Sequence, residues 1–152
     1  MKAVLQRVKE SGVKVAGEVV GASSAGLMIL LGVAIGDTEA EAEALAAKIL
    51  KLRIFEDENG KMNKSILDVS GEALVVSQFT LLANYKNGNR PDYLNSEKPE
   101  RANYLYEYFV SLLRKELGRV ETGVFGADME VTIINDGPVT IVMDSEELKK
   151  SR

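Results

Sequence analysis

The run Ala73-Leu74-Val75-Val76, followed by Ser77-Gln78-Phe79-Thr80-Leu81, decides how this chain is read. Four consecutive apolar residues mark a buried strand, which ordinarily stays apolar or alternates cleanly. Here Ser77, Gln78 and Thr80 interrupt it before Leu81-Leu82-Ala83 resumes. Read as one strand, Ser77 and Phe79 face one side of the sheet, Gln78 and Thr80 the other. An unpaired buried hydroxyl or amide costs about 1–3 kcal/mol, so polar groups placed mid-sheet need partners or a ligand. A strand end with its polar face in water is the commoner arrangement. A second segment near the other end of the chain, Asn135-Asp136-Gly137-Pro138-Val139-Thr140, raises the functional reading.

Outward from that stretch, Lys2 to Lys9 reads as a strand, and Val13–Val15 with Glu18–Val20 as a hairpin around Ala16-Gly17. Arg7 stands in an otherwise apolar strand, where an exposed edge charge is the usual arrangement. Leu27 to Ala34 is a continuous apolar run, expected as a central strand. Thr38 with Glu41 forms a capping box for a helix whose core face is Leu45, Ile49 and Leu52. Lys48, Lys51 and Arg53 ride its end, where the helix dipole favours cations. Asp57 to Lys61 is a turn, and Met62 to Val69 is ambiguous.

Asn84 to Glu97 is a long loop carrying Lys86 and Arg90, and long loops in compact domains are often functional. Pro99 opens a second helix with Ala102, Leu105, Phe109, Leu112 and Leu113 as its buried stripe, stopped at Gly118. Its Tyr104, Tyr106 and Tyr108 alternate around the helix and form no stacking face. Val120–Gly126, Met129–Ile134 and Val139–Met143 read as three closing strands, Asp136-Gly137-Pro138 as a tight turn between two of them, and 145–152 as a frayed charged tail. The expectation is one domain over residues 1–152, in a mixed α/β (α+β) class. Curved, mostly antiparallel sheets form a layered β/β/α arrangement with two helices on one side.

Composition narrows the chemistry. The chain has 152 residues, no Cys and no His. That removes thiolate nucleophiles, thiolate metal sites, the usual neutral-pH base and every triad built on it. Hydroxyls, amides, carboxylates, Lys, Arg and backbone remain, or a group borrowed from the substrate. A net charge of −4 argues against a protein that coats nucleic acid, though not against a local basic patch for one nucleic-acid end. The lack of a transmembrane-length apolar run or signal-peptide pattern makes a soluble, cytoplasmic protein the expectation.

The two motifs together resemble the D-aminoacyl-tRNA deacylases, whose signatures are a Ser-Gln-Phe-Thr strand and an Asn-x-Gly-Pro-x-Thr turn. The similarity continues, in order, through Gln6-Arg7-Val8, Leu52-Arg53-Ile54-Phe55, Lys61-Met62-Asn63 and Glu121 to Met129. It implies a homodimer in which a cis Gly137-Pro138 turn enters the neighbouring pocket with its carbonyls facing the bound amino acid. Arg7 would brace that turn, and Phe125 and Met129 would line the site near the terminal adenosine. Ser77, Gln78, Phe79 and Thr80 would form the catalytic strand, and Asn135, Thr140 and Met62 complete the substrate-binding set. The implied reaction is cleavage of the ester between a D-amino acid, or glycine, and the terminal ribose of tRNA. L-aminoacyl-tRNA is spared, as chiral proofreading requires, and no metal or organic cofactor is needed.

The expected partner is the aminoacylated tRNA 3′ end, not DNA or membrane. The loop Tyr85–Tyr93 departs from expectation with few basic residues and an added Asp92. Docking on tRNA phosphates through Lys86 and Arg90 would then be weaker, or would rely on Lys48, Lys51 and Arg53 instead. Two rival classes are a small-ester or thioester hydrolase and a non-catalytic RNA-end binding module. Turnover of free D-aminoacyl esters separates the first, and binding without hydrolysis the second.

Overall fold

The computed structural model describes residues 1–150. Strand β1 (Lys2–Val15) turns back into β2 (Glu18–Ser23) at Ala16 and Gly17, both at positive φ, as a tight hairpin of this twist requires. Strand β3 (Gly26–Gly32) pairs antiparallel with β1. Helix α1 (Glu39–Lys51) and the small hairpin β4 (Phe55–Glu56) and β5 (Met62–Lys64) then intervene. Strand β6 (Glu72–Ser77) returns parallel to β3. Helix α2 (Pro99–Arg114) leads to β7 (Val120–Thr122), parallel to β6. Strand β8 (Glu130–Asp144) runs antiparallel along β1, and the short α3 (Ser145–Lys149) follows. The main path is β2-β1-β3-β6-β7 with β8 on β1, and β2 touches β7, so the mixed sheet curls nearly into a barrel.

The near-continuous apolar run of β3 is buried on both faces. Leu27, Ile29 and Leu31 join Ala73 and Val75 under α1 and α2, where Leu45, Ile49, Leu105 and Phe109 fill the main core. Met28, Leu74 and Val76 point the other way into a smaller core with Val8 and Val13, against which Met129, Val131 and Ile133 pack. The tyrosines of α2 part as their spacing implies. Tyr104 and Tyr108 donate to Glu39 and Glu43 of α1 at 3.5 and 2.6 Å. Buried Tyr106 donates to the Val75 carbonyl at 2.7 Å.

Four expectations are corrected. The central strand stops at Ser77, and Phe79–Leu82 is a 3₁₀ turn, because Leu81 N–H bonds back to the Gln78 carbonyl instead of crossing to a neighbour. Residues 129–134 and 139–143 belong to one strand, β8, not to two joined by a turn. Beyond Thr122 the chain leaves the sheet, so no strand reaches Gly126. Helix α2 ends at Arg114, ahead of Gly118, and Leu112 is only partly buried.

The tail is also not frayed where it is described. Ser145 is buried beneath the Met1 ammonium (3.0 Å to Oγ), which also pairs with Asp37 at 2.9 Å. That makes three α-helices among the described residues, not two. Ser151 and Arg152, the end of the expected tail, lie outside the described residues.

The capping box forms as read: the Glu41 carboxylate accepts from both N–H and Oγ of Thr38 at 2.7 Å, and Lys149 of α3 reaches it at 2.9 Å. The Lys149 ammonium, then the Thr38 hydroxyl, hold the Glu41 carboxyl down to about 2, from an ordinary 4.5. A carboxyl lowered on folding stabilises the fold fully above its unfolded value and loses that contribution as pH falls through its folded value. Thermal stability should therefore decline as pH drops from 4.5 toward 2. Melting curves of the wild type and Lys149→Met, separated near neutrality, should draw together over that acid window.

Candidate functional site

Where β6 ends, the chain must turn sharply against the end of β3, and Gly32 permits it. A Cβ there would lie 2.5 Å from Leu82 Cδ2 and 3.0 Å from the Gln78 carbonyl. The Gln78 N–H still bonds to the Leu31 carbonyl at 2.8 Å, so the strand's last pairing holds the start of the 3₁₀ turn. The first amides of such a turn have no acceptor within it. Ser77, Gln78 and Phe79 line a cavity of about 680 Å³. Its other walls come from Phe125 and Met129 ahead of β8 and from Tyr93, Ser96, Lys98, Pro99 and Ala102 around the start of α2. Phe125 leans on Tyr106, with ring centroids 6.2 Å apart. Burial pushes the Tyr106 phenol up to about 12, so it stays a hydrogen-bond donor to the sheet.

Thr80 is exposed and does not line this cavity. Its Oγ accepts a hydrogen bond from the Gln78 side-chain amide. Thr80 and Gln78 are thus neighbours through a turn, not across a shared strand face.

The second motif forms a separate construction. Along β8, Thr140 pairs with Gln6 and Asn135 with Val8, so Asp136 to Val139 bulge out opposite the single residue Arg7. This is a widened β-bulge of one continuous strand, held by its own side chains. Asn135 Oδ1 accepts from Val139 N–H at 2.9 Å and its amide donates to Thr140 Oγ at 3.0 Å, clasping the base of the bulge. Gly137 has φ +133° and the Gly137-Pro138 bond is cis, with both residues exposed.

Arg7 is not the exposed edge charge that its strand suggested. It is 5% exposed, and its Nε donates to the Asp136 carbonyl at 3.1 Å while Nη1 donates to the Ile54 carbonyl at 2.8 Å. The Asp136 and Glu56 carboxylates stand 3.5 and 3.8 Å from it. One guanidinium therefore ties the bulge to the β4–β5 ribbon, a task suited to its planar fork of donors.

The residues singled out in the sequence thus fall into two groups. Ser77, Gln78, Phe79, Phe125 and Met129 meet at the cavity. Arg7, Asn135, Gly137, Pro138 and Thr140 meet at the bulge, and none of them lines the cavity. Met62 is exposed on β5, opposite Glu56, on the ribbon that Arg7 grips. Lys51 and Arg53 are exposed at the exit of α1, and Lys86 and Arg90 in the long loop. Asp92 is a loop clasp: its backbone pairs with Asn84 at 2.8 and 2.9 Å and its carboxylate accepts from Asn84 Nδ2 and Leu94 N–H. Tyr93, Ser96, Lys98 and Ala102 were missed as cavity walls. The one signal for them was the length and polarity of the loop that precedes α2.

Fold and site together define the class: an α+β domain with a His-free and Cys-free pocket whose largely apolar wall carries Ser77, Gln78 and Ser96 beside Glu97, Lys98 and Asp128, plus a clasped proline bulge on its edge strand. Residues 4–144 match the family model described as D-Tyr-tRNA(Tyr) deacylase. The chain is 57% identical over 148 residues to the D-aminoacyl-tRNA deacylase of Aquifex aeolicus, covering 97% of this chain and all of that one. To the D-aminoacyl-tRNA deacylase of Thermus aquaticus it is 54% identical over the whole of both chains. Among solved structures it superposes on the c-Myc DNA Unwinding Element Binding Protein with TM-score 0.90 and 46% identity, over 95% of this chain and 98% of the other. A probable eukaryotic D-amino acid tRNA deacylase shares the fold at TM-score 0.79 and 16% identity, over 93% and 97% of the two chains. The chain belongs to the D-Tyr-tRNA(Tyr) deacylase family, a family of hydrolases. Among the described residues no helix is long and apolar enough to cross a membrane.

Proposed function

We propose that this chain hydrolyses the ester joining a D-amino acid, or glycine, to the terminal ribose of tRNA, and spares the L-aminoacyl ester. The observation that carries the reading is the pairing, in a member of this family, of an amide-rich turn at a cavity mouth with an exposed, Arg7-clasped proline bulge outside it. The bulge completes the cavity of a second copy in a homodimer. The exposed apolar side chains of Phe79, Leu94 and Val142 support such an assembly. The cavity takes the 3′-terminal aminoacyl-adenosine, with Phe125 and Met129 against the base, while Lys51, Arg53, Lys86 and Arg90 meet phosphates. The reaction proceeds in the cytoplasm and calls for neither metal nor organic cofactor.

An aminoacyl ester is already activated, so modest assistance suffices. The ribose 2′-OH beside the ester assists water at the carbonyl, and the backbone N–H of Phe79 in the cavity wall, with that of Thr80 next to it just outside the lining, receives the developing oxyanion. Thr80 as nucleophile would need a base, and its oxygen is instead engaged by the Gln78 amide. Thr80→Ala should keep activity within about tenfold of wild type, whereas removing a true nucleophile costs on the order of 10⁴-fold or more. Single-turnover deacylation measures the difference.

Chirality is set by exclusion. With the amino group fixed by the bulge and the carbonyl by the turn, an L side chain must run into backbone, a D side chain points away, and glycine passes. The test is hydrolysis of matched D- and L-tyrosyl-tRNA by the purified protein with a metal chelator present. Rapid release of D-tyrosine with L-tyrosyl-tRNA intact is the expected result. Equal rates on both, or release only from small esters without RNA, would refute it.

A further inference from the structure

We infer that Tyr93 is a positioning residue for this deacylation: it braces Phe79, and through Phe79 the amides that open the 3₁₀ turn. The inference rests on the function proposed above and adds a residue to it. Phe79 is 56% exposed for so large an apolar side chain, so its own subunit holds the ring only in part. Its aromatic neighbour is Tyr93, edge-on at 72° with ring centroids 5.0 Å apart, an arrangement in which the positive edge of one ring meets the negative face of the other. Both rings line the cavity.

Each is anchored through backbone on its own side. Gln78 N–H bonds to the Leu31 carbonyl at 2.8 Å just before Phe79. Asp92 exchanges two backbone bonds with Asn84 just before Tyr93, and Ser96 N–H bonds to the Tyr93 carbonyl at 3.0 Å just after it. The aromatic contact therefore joins a turn pinned just ahead of Phe79 to a loop fixed on both sides of Tyr93. A 3₁₀ turn of four residues has little stiffness of its own, and Leu82 is the one residue it buries. On the cavity side, Tyr93 keeps it from swinging. Catalytic donors must sit within roughly 0.5 Å of their working position, and a misplacement of about 1 Å can cost on the order of 100-fold in rate.

Tyr93 belongs to neither apolar core, so a brace, not a foundation, is being removed when it is changed. Tyr93→Leu should lower kcat on D-tyrosyl-tRNA by about 10- to 100-fold while KM stays within about twofold, the signature of lost transition-state geometry. Tyr93→Phe should restore the rate, because the contact uses the ring. Phe79→Leu and the double variant close a cycle: if the two rings act as one unit, the double variant loses little more than either single one. Unchanged kcat in Tyr93→Leu, a loss confined to KM, failure of Tyr93→Phe to restore the rate, or additive losses would each overturn the inference. So would failure of Tyr93→Leu to fold, read by thermal melting, since a residue outside the core must be removable. A wild-type chain inactive on D-tyrosyl-tRNA defeats the deacylase reading itself; an active wild type with an unimpaired Leu variant defeats only the role of Tyr93.

Discussion

Gly137→Ala should cost at least about 100-fold in kcat/KM on D-tyrosyl-tRNA while the chain remains folded. At φ +133° an L side chain is strained, and a Cβ there would lie 2.8 Å from Val139 Cγ2, 2.9 Å from Val139 N and 3.3 Å from Arg7 Nη2. Val139 N is the donor that Asn135 clasps, and Arg7 is the grip on Asp136. A single methyl therefore pushes against both fastenings of the bulge at once. The position is exposed and belongs to no apolar core, so the strain, on the order of 1–3 kcal/mol, falls on the bulge, lowering the melting temperature modestly while the chain stays folded. If the bulge excludes L substrates by bulk, some of that exclusion should relax as well. Steady-state rates on D- and L-tyrosyl-tRNA, beside melting curves, check both halves of the expectation.

Arg7→Met should be harmful in another way, through both stability and activity. It leaves the Ile54 and Asp136 carbonyls without their donor, and an unsatisfied buried acceptor costs about 1–3 kcal/mol. Denaturant unfolding should show a loss of that size, with activity falling further because the bulge is no longer tied to the β4–β5 ribbon. Arg7→Lys keeps the charge but gathers its three donors on a single nitrogen, which cannot reach two carbonyls on different segments as the spread nitrogens of the guanidinium do. Its expected pattern is partial recovery of stability with activity still reduced by roughly 10- to 100-fold. Full recovery by Lys would mean that charge alone matters there.

How far these residues could be found in the sequence depended on the kind of physics behind each. The double-sided burial of β3, the Ala16-Gly17 hairpin and the Thr38–Glu41 cap are local patterns, and each is where its spacing places it. The break at Ser77-Gln78 was visible as polarity, but not that the chain turns there, because this depends on Gly32 of another strand leaving room. Likewise Asp136-Gly137-Pro138 has the composition of a reversing turn. Only the length of β1 beside it, pairing on both flanks, makes it a bulge in a strand that carries on. Arg7 looked like an edge charge since its partners, Ile54, Glu56 and Asp136, lie far off in sequence. The walls given by Tyr93 and Ala102 carried no signal of their own beyond the length and polarity of the loop before α2.

Whether one subunit finishes the other's pocket can be measured by mixing two disabled variants. Ala102→Trp fills the cavity and leaves the bulge intact; Gly137→Ala spoils the bulge and leaves the cavity intact. Co-expressed, they should recover about a quarter of wild-type D-tyrosyl-tRNA deacylation, since half of randomly paired dimers are hybrids and each hybrid holds one sound site of two. Hybrids detected by native mass spectrometry with activity no higher than either parent would contradict the account.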